Sequence, residues 1–190
     1  MQPVVSIRNV VKRYTRGKQK GEVEAAGRRI DRLSGDQLPQ WRARHIGFIL
    51  QFYNLLPVLS AEDNVEVPLL LTNLARSRRK SNIAAALAVV GLADRARDKP
   101  SKLSGDQQQL VAIARVIVAD PTLLVCDEPT GDLDRQRAGE ILELLHILNR
   151  QGGTTIIMVT HDALAADHAS RRVFLDKGRL TPTEAQHAAA

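Results

Sequence analysis

Cysteine is nearly missing from this chain of 190 residues: there is one, Cys126. A single cysteine forms no internal disulfide, so no cross-linked scaffold is available to hold the fold. Its place in the apolar run "TLLVCDE" predicts a buried small residue and not a reactive thiol. Aromatic side chains make up only 3% of the sequence, which leaves little to stack on single-stranded nucleic acid. Long hydrophobic runs are missing as well, since "VPLLL" and "LLVC" fall far short of the ~18 residues needed to span a bilayer. The first residues, "MQPVVSIRNVVKRY", lack a basic segment followed by an apolar core and a cleavage site, so the expected location is cytoplasmic.

What is present is a one-domain length, an ordinary hydrophobic share of 44% and a net charge of +6. The basic residues are scattered as "RGKQK", "RRIDR", "WRARH", "RSRRK" and "RRV", and are not gathered beside aromatics. That pattern predicts a solvated basic surface near anionic lipid or another subunit, with no nucleic-acid partner.

Local patterns give the order of elements. "VVSIRNVVKRY" alternates as a strand, "TRGKQKGE" reads as a turn, and "EVEAAGRRI" reads as a strand broken at Gly27. "HIGFILQ", "TLLVCDE" and "TTIIMVTHD" are apolar runs of the kind that form buried strands. Two helices are expected between Ser60 and Leu92, the second as "KSNIAAALAVVGL". Another follows Ser104 and ends at Asp120 and Pro121, and "RAGEILELLHILNRQGG" is amphipathic. Strand, helix, strand order implies parallel pairing under right-handed crossovers. The final "TEAQHAAA" has little to bury and is expected to fray.

The pentapeptide "LSGDQ" occurs twice, at residues 33–37 and 103–107. A repeat architecture would extend over ~20–50 residues and recur about three times. Here the flanks disagree at once: Pro39 and Trp41 follow the first copy, and a long Ala, Ile and Val helix pattern follows the second. Each copy offers a Ser with Gln three residues later, a capping pair that opens a helix.

Ligands of open parallel sheets gather at the carboxyl ends of the strands, which is where Gln51, Asp127, Glu128 and His161 fall. An Asp there can hold Mg²⁺ through its water shell, and an adjacent carboxylate can position or deprotonate an attacking water. A His on the next strand end can meet a γ-phosphate, and a Gln carbonyl can complete the metal shell. Any one of these residues alone would be an ordinary solvated turn; their joint order is what points to chemistry.

The string "LSGDQQQLVAIARVIVADPTLLVCDEPTGDLD", followed by "TTIIMVTHD", resembles the ATP-binding subunits of ABC transporters. Within that family "FYNLLPVLSAEDNVEVPLLL" and "CDEPTGDLD" are most similar to the lipoprotein-releasing and macrolide-exporter branch. The resemblance runs from Val4 to Leu180 and implies one nucleotide-binding domain over 1–190. Its fold would be α/β, a P-loop-NTPase-like parallel sheet with a helical subdomain at about 55–118 and a tail at 177–190. It implies ATP and Mg²⁺ as cofactors, with Glu128 and His161 as catalytic residues. Tyr14, Ser104, Gly105, Gln107 and Asp134 would bind nucleotide, and Gln51 and Asp127 the metal. The implied partners are integral-membrane permease subunits, faced by residues 52–71, and a second ATPase subunit in a homodimer or heterodimer. The implied place is the inner face of the cell membrane.

Three departures qualify that resemblance. The phosphate-binding loop GxxxxGK[S/T] is absent, because Gly17 and Lys18 in "RGKQK" have neither the earlier glycine nor the hydroxyl. A block of several tens of residues, carrying the central phosphate-loop strand and helix, is expected to be missing at the junction of Lys20 and Gly21. Asp106 stands where the family has a second glycine, and Leu110 where it has an arginine. A carboxylate about 4 Å from a phosphate costs roughly 4 kcal/mol per like-charge pair at an effective dielectric near 20, before screening. A working transport ATPase, a docking module without turnover and a degenerate remnant are therefore the readings left open. A DNA-repair ATPase fits less well, because no heptad array is present.

Overall fold

The computed structural model describes residues 5–11, 20–25, 27–50, 53–131, 133–176 and 179–182. The chain opens on an antiparallel sheet in which β1 (Val5–Val11) pairs with β2 (Lys20–Ala25), and β2 with β3 (Arg28–Arg29). Gly27 turns the chain between β2 and β3 at φ +69°, a conformation open to glycine for want of a Cβ. The polar stretch expected as a turn through Glu22 is strand from Lys20 onward, because β1 supplies backbone partners that outweigh its poor strand propensity. The junction of Lys20 and Gly21 thus lies inside β2.

Helix α1 (Gln37–His45) leads directly into β4 (Ile46–Ile49). Helix α2 (Ala61–Glu66) starts on a capping box: Ser60 accepts from the Asp63 N–H, and Asp63 accepts from the Ser60 N–H. Helix α3 (Arg76–Val89) begins earlier than the apolar pattern predicts. Its added first turn is good helix former, and Arg79 anchors it to Glu66 at 2.9 Å and to the Leu74 carbonyl. Helix α4 (Gly105–Ile117), β5 (Leu123–Asp127), α5 (Arg135–Arg150) and β6 (Thr155–Val159) follow as the sequence predicts. Then come α6 (Ala163–Asp167) and a hairpin of β7 (Val173–Asp176) with β8 (Arg179–Pro182). Residues 179–182, expected in the tail, are instead held by pairing with β7.

The functional end of the molecule rests on the parallel sheet β4-β5-β6. Ile46 aligns with Leu123, and Asp127 with Val159, so the strands end together. Gly47 lets β4 lie against α4, since a Cβ there would clash with Val116 and Leu124. The core packs α2, α3 and α4 around Val65, Leu87, Val111, Ile113 and Ala114, all buried, and continues into Ile49, Leu124 and Cys126 of the sheet. At both edges of the sheet apolar side chains are exposed, Phe48 of β4 at 48% and Ile157 and Val159 of β6 at 39% and 58%, and no strand among the described residues pairs with the outer edge of either. Parallel strands are ordinarily covered on both faces, so an apolar strand with an open edge fits a sheet that lacks a strand.

Candidate functional site

β5 delivers its two carboxylates differently. Asp127 is the last strand residue and is exposed, whereas Glu128 turns the chain with φ +46°, a left-handed conformation that costs a non-glycine residue about 1–2 kcal/mol. The turn is held from several sides. The Glu128 N–H donates to the Val159 carbonyl at 2.9 Å, and the Gly131 N–H closes onto the Glu128 carbonyl at 3.2 Å. The Glu128 carboxylate accepts from the Thr160 hydroxyl at 3.0 Å and from the His161 backbone N–H at 2.8 Å. The His161 ring nitrogen Nδ1 lies 2.8 Å from the same carboxylate. Burial alone would raise the Glu128 pKa, but hydrogen bonds from the His161 ring, the Thr160 hydroxyl and the His161 backbone outweigh it. The carboxyl is held below its usual range and is therefore ionised at neutral pH. His161 itself is 87% exposed and opens onto a cleft of about 680 Å³, bordered by Thr130, Leu133, Arg135, Asp162 and Leu164.

The second element of the site is the start of α4. The Ser104 hydroxyl accepts from the Gln107 N–H at 3.3 Å, and the Gln107 side-chain carbonyl accepts from the Ser104 N–H at 3.0 Å. Gly105 is exposed, and a Cβ on it would lie 3.3 Å from the Tyr53 hydroxyl. Asp134 caps α5 by accepting from the Arg137 N–H at 2.9 Å. Arg137 donates to Glu140 at 2.8 Å; that bond, and more weakly the charges of Asp106 and Asp134, push its guanidinium pKa up.

The structure brings Asp127, Glu128 and His161 together on adjacent strand ends, while Ser104, Gly105 and Gln107 gather at the start of α4 and Asp134 at the start of α5. Tyr14 and Gln51 lie outside the described residues. Three contributors escape sequence reasoning: Thr160, Gln109 and Arg115. Thr160 had a signal in its place beside His161, and Gln109 in being polar within an apolar helix pattern. Cys126 is fully buried, and burial pushes its pKa up to about 12, in keeping with a packing role.

Among the described residues no group of three or more His, Cys, Asp and Glu side chains could hold a metal ion unaided. Mg²⁺ ordinarily keeps several waters and takes one or two carboxylates together with substrate phosphates. Of the two residues expected to hold it, Asp127 is exposed at the end of β5 and Gln51 lies outside the described residues. A phosphate cradle has no such counterpart in the sequence; Arg135 is the cation bordering the cleft. The segment 53–71 divides between two surroundings: Val65 and Leu69 are buried, while Leu56, Val58, Leu70 and Leu71 are exposed, Leu71 at 79%. No described helix is long and apolar enough to cross a membrane.

Comparison with known proteins agrees with this arrangement. The ABC transporter family matches residues 7–131. The lipoprotein-releasing system ATP-binding protein LolD of Pseudoalteromonas translucida is 41% identical over 169 residues, covering 89% of this chain and 73% of that protein. The macrolide export ATP-binding/permease protein MacB of Rhodopseudomonas palustris is 44% identical over 170 residues, 87% of this chain and 26% of that longer protein. Among solved structures, a dimeric ATP-binding cassette in a post-hydrolysis state bound to ADP and Pi superposes with a TM-score of 0.78 at 35% identity. That match covers 87% of this chain and 75% of the cassette. These likenesses establish that the chain belongs to the ABC transporter family, as an ATP-binding cassette.

Proposed function

We propose that the chain serves as the ATP-binding subunit of a lipoprotein-releasing or macrolide-exporting transporter, acting as a dimer beside membrane permease subunits at the inner face of the membrane. The observation that carries the reading is the Glu128 turn. An ionised carboxylate on one strand end, in contact with His161 on the next and beside Asp127, suits activation of a water near a Mg²⁺-bound phosphate. Mg²⁺ would supply charge neutralisation at the phosphates. Glu128 would accept the proton of the attacking water, His161 would hold Glu128 in place and meet the terminal phosphate, and Ser104 with the first amides of α4 would meet phosphate from a second subunit. The exposed Leu56, Val58, Leu70 and Leu71 support contact between this face and a permease.

A second reading, docking with little or no turnover, rests on an observation of its own: the 190 residues contain no GxxxxGK[S/T], and Asp106 occupies the signature. One pair of experiments separates the two. Calorimetric titration with Mg²⁺ and ATP gives micromolar binding if another segment replaces the cradle, and none, in a folded sample, if the chain only docks. A Mg²⁺-dependent hydrolysis rate that disappears in Glu128→Gln would establish turnover at this site.

A further inference from the structure

Helix α4 reaches the segments that follow two strands of the central sheet, β5 and β4. Gln109 is 2% exposed, and its amide donates to the Pro129 carbonyl at 2.9 Å, one residue beyond Glu128. Arg115, half-buried two turns further along the helix, donates to the Asn54 carbonyl at 2.8 Å and the Tyr53 carbonyl at 3.0 Å, in the segment that follows β4. Both turns contain a residue in the left-handed region, Glu128 at φ +46° and Asn54 at φ +47°, and neither is glycine. Such conformations persist only where surrounding bonds over-determine them. Gln109 also leaves its Oε1 buried without a hydrogen-bond partner among the described residues, so its placement is not that of a side chain optimised for packing alone.

We propose that Gln109 and Arg115 are positioning residues: from one helix they fix the turns after β5 and β4, and so set the place of Glu128 relative to Ser104 at the start of that helix. The proposal rests on the functional reading above only for its consequence, which is that the second subunit's phosphate, met at Ser104, and the water at Glu128 of this chain's own site keep a set separation. Gln109 lies five residues from Ser104, about 7.5 Å along the axis. A shift of the helix start is therefore passed to Pro129 with no flexible segment between.

The test is amide hydrogen exchange by NMR on the full chain, comparing Gln109→Met, Arg115→Met and Arg115→Lys. Gln109→Met is expected to speed exchange about tenfold at the Glu128 and His161 amides and to leave Leu56 and Ile113 unchanged. Arg115→Met is expected to speed exchange at Leu56, whose N–H donates to Asn64 at 2.8 Å, and to spare Glu128. Arg115→Lys, which keeps one donor, should recover most of the protection. Uniform acceleration across α4 and the core, or no change at the two turns, would overturn the proposal. Should Gln109→Met fail to fold, the shorter Gln109→Asn reads the same amides. Titration of the same samples with Mg²⁺ and ATP separates the two claims: absence of binding by the wild-type chain would sink the functional reading, while the exchange comparison still decides the positioning role.

Discussion

The two copies of LSGDQ make the same local bonds and live in different surroundings. In the first, Ser34 and Gln37 exchange hydrogen bonds at 3.4 and 3.3 Å; in the second, Ser104 and Gln107 do so at 3.3 and 3.0 Å. Beyond that pair they part. Leu33 is half-buried and Leu103 is in the core. The first copy continues with Leu38 and Pro39, and its helix proper starts only at Gln37, whereas the second starts at Gly105 and continues with Gln108 and Gln109. Gln108 folds back on the Pro100 and Leu103 carbonyls at 3.1 and 3.2 Å, and Gln109 reaches the Glu128 turn at the Pro129 carbonyl. Five residues are enough to write a helix start, and tertiary contacts decide whether that start becomes part of a site.

Truncation should separate the copies most strongly. Leu103→Ala removes a core side chain and is expected to cost about 2–4 kcal/mol, against less than about 1 kcal/mol for Leu33→Ala. Chemical denaturation of both variants reads the difference; equal losses would mean that both copies are core elements.

The bond from Gln109 ties the second copy to Glu128, and acid should expose what that turn contributes. The folded pKa of Glu128 is depressed, so its stabilisation is present above the ordinary carboxylate range, near 4.3, and is lost as pH falls through the folded value. Glu128→Gln is expected to be less stable than wild type at pH 7, by on the order of 1–3 kcal/mol, with the gap narrowing by pH 3. Urea melts at both pH values check it, and a gap that widened on acidification would reverse the assignment.

The two aspartates of the copies can be set against each other in the same way. Asp106→Gly removes a negative charge and a Cβ from the start of α4, so affinity for Mg²⁺-ATP should rise about tenfold, less than the bare Coulomb repulsion implies because solvent and salt screen a charge at an exposed helix start. Stability should fall slightly, since the carboxylate favours the empty helix start. Asp36→Gly should leave affinity unaltered, and calorimetry on both variants distinguishes the cases.

The sheet, the helices α4 and α5 and the strand-end residues were legible because apolar runs, caps and Pro or Gly stops coincide there. What escaped was set by distant partners. β2 starts at Lys20, ahead of the stretch read as a strand, because β1 pairs with it, α6 is too short to show a period, and β8 exists only through β7. Among site residues, the roles of Gln109 and Arg115 depend on carbonyls 20 and 61 or 62 residues away, and no local pattern encodes such a distance. The open edge of β6 was legible only indirectly, through the missing phosphate loop.

The finest distinction between the copies concerns the capping serines. Removing a capping hydroxyl costs about 1 kcal/mol when a helix depends on it. Ser104 caps a helix of 13 residues whose start is anchored in the core by the preceding Leu103, so Ser104→Ala should approach that figure. Ser34 lies one turn ahead of the 9-residue α1, where Asp36 occupies the cap position and only Trp41 is buried. There the same substitution releases a bond in a segment that water can solvate, and the expected loss is a few tenths of a kcal/mol. Thermal melts of the two alanine variants, run beside a double variant, give both values and their additivity. Matching losses at Ser34 and Ser104 would mean that the pentapeptide acts as an autonomous start signal whatever surrounds it, and the tertiary account of its second copy would then rest on Leu103 and Gln109 alone.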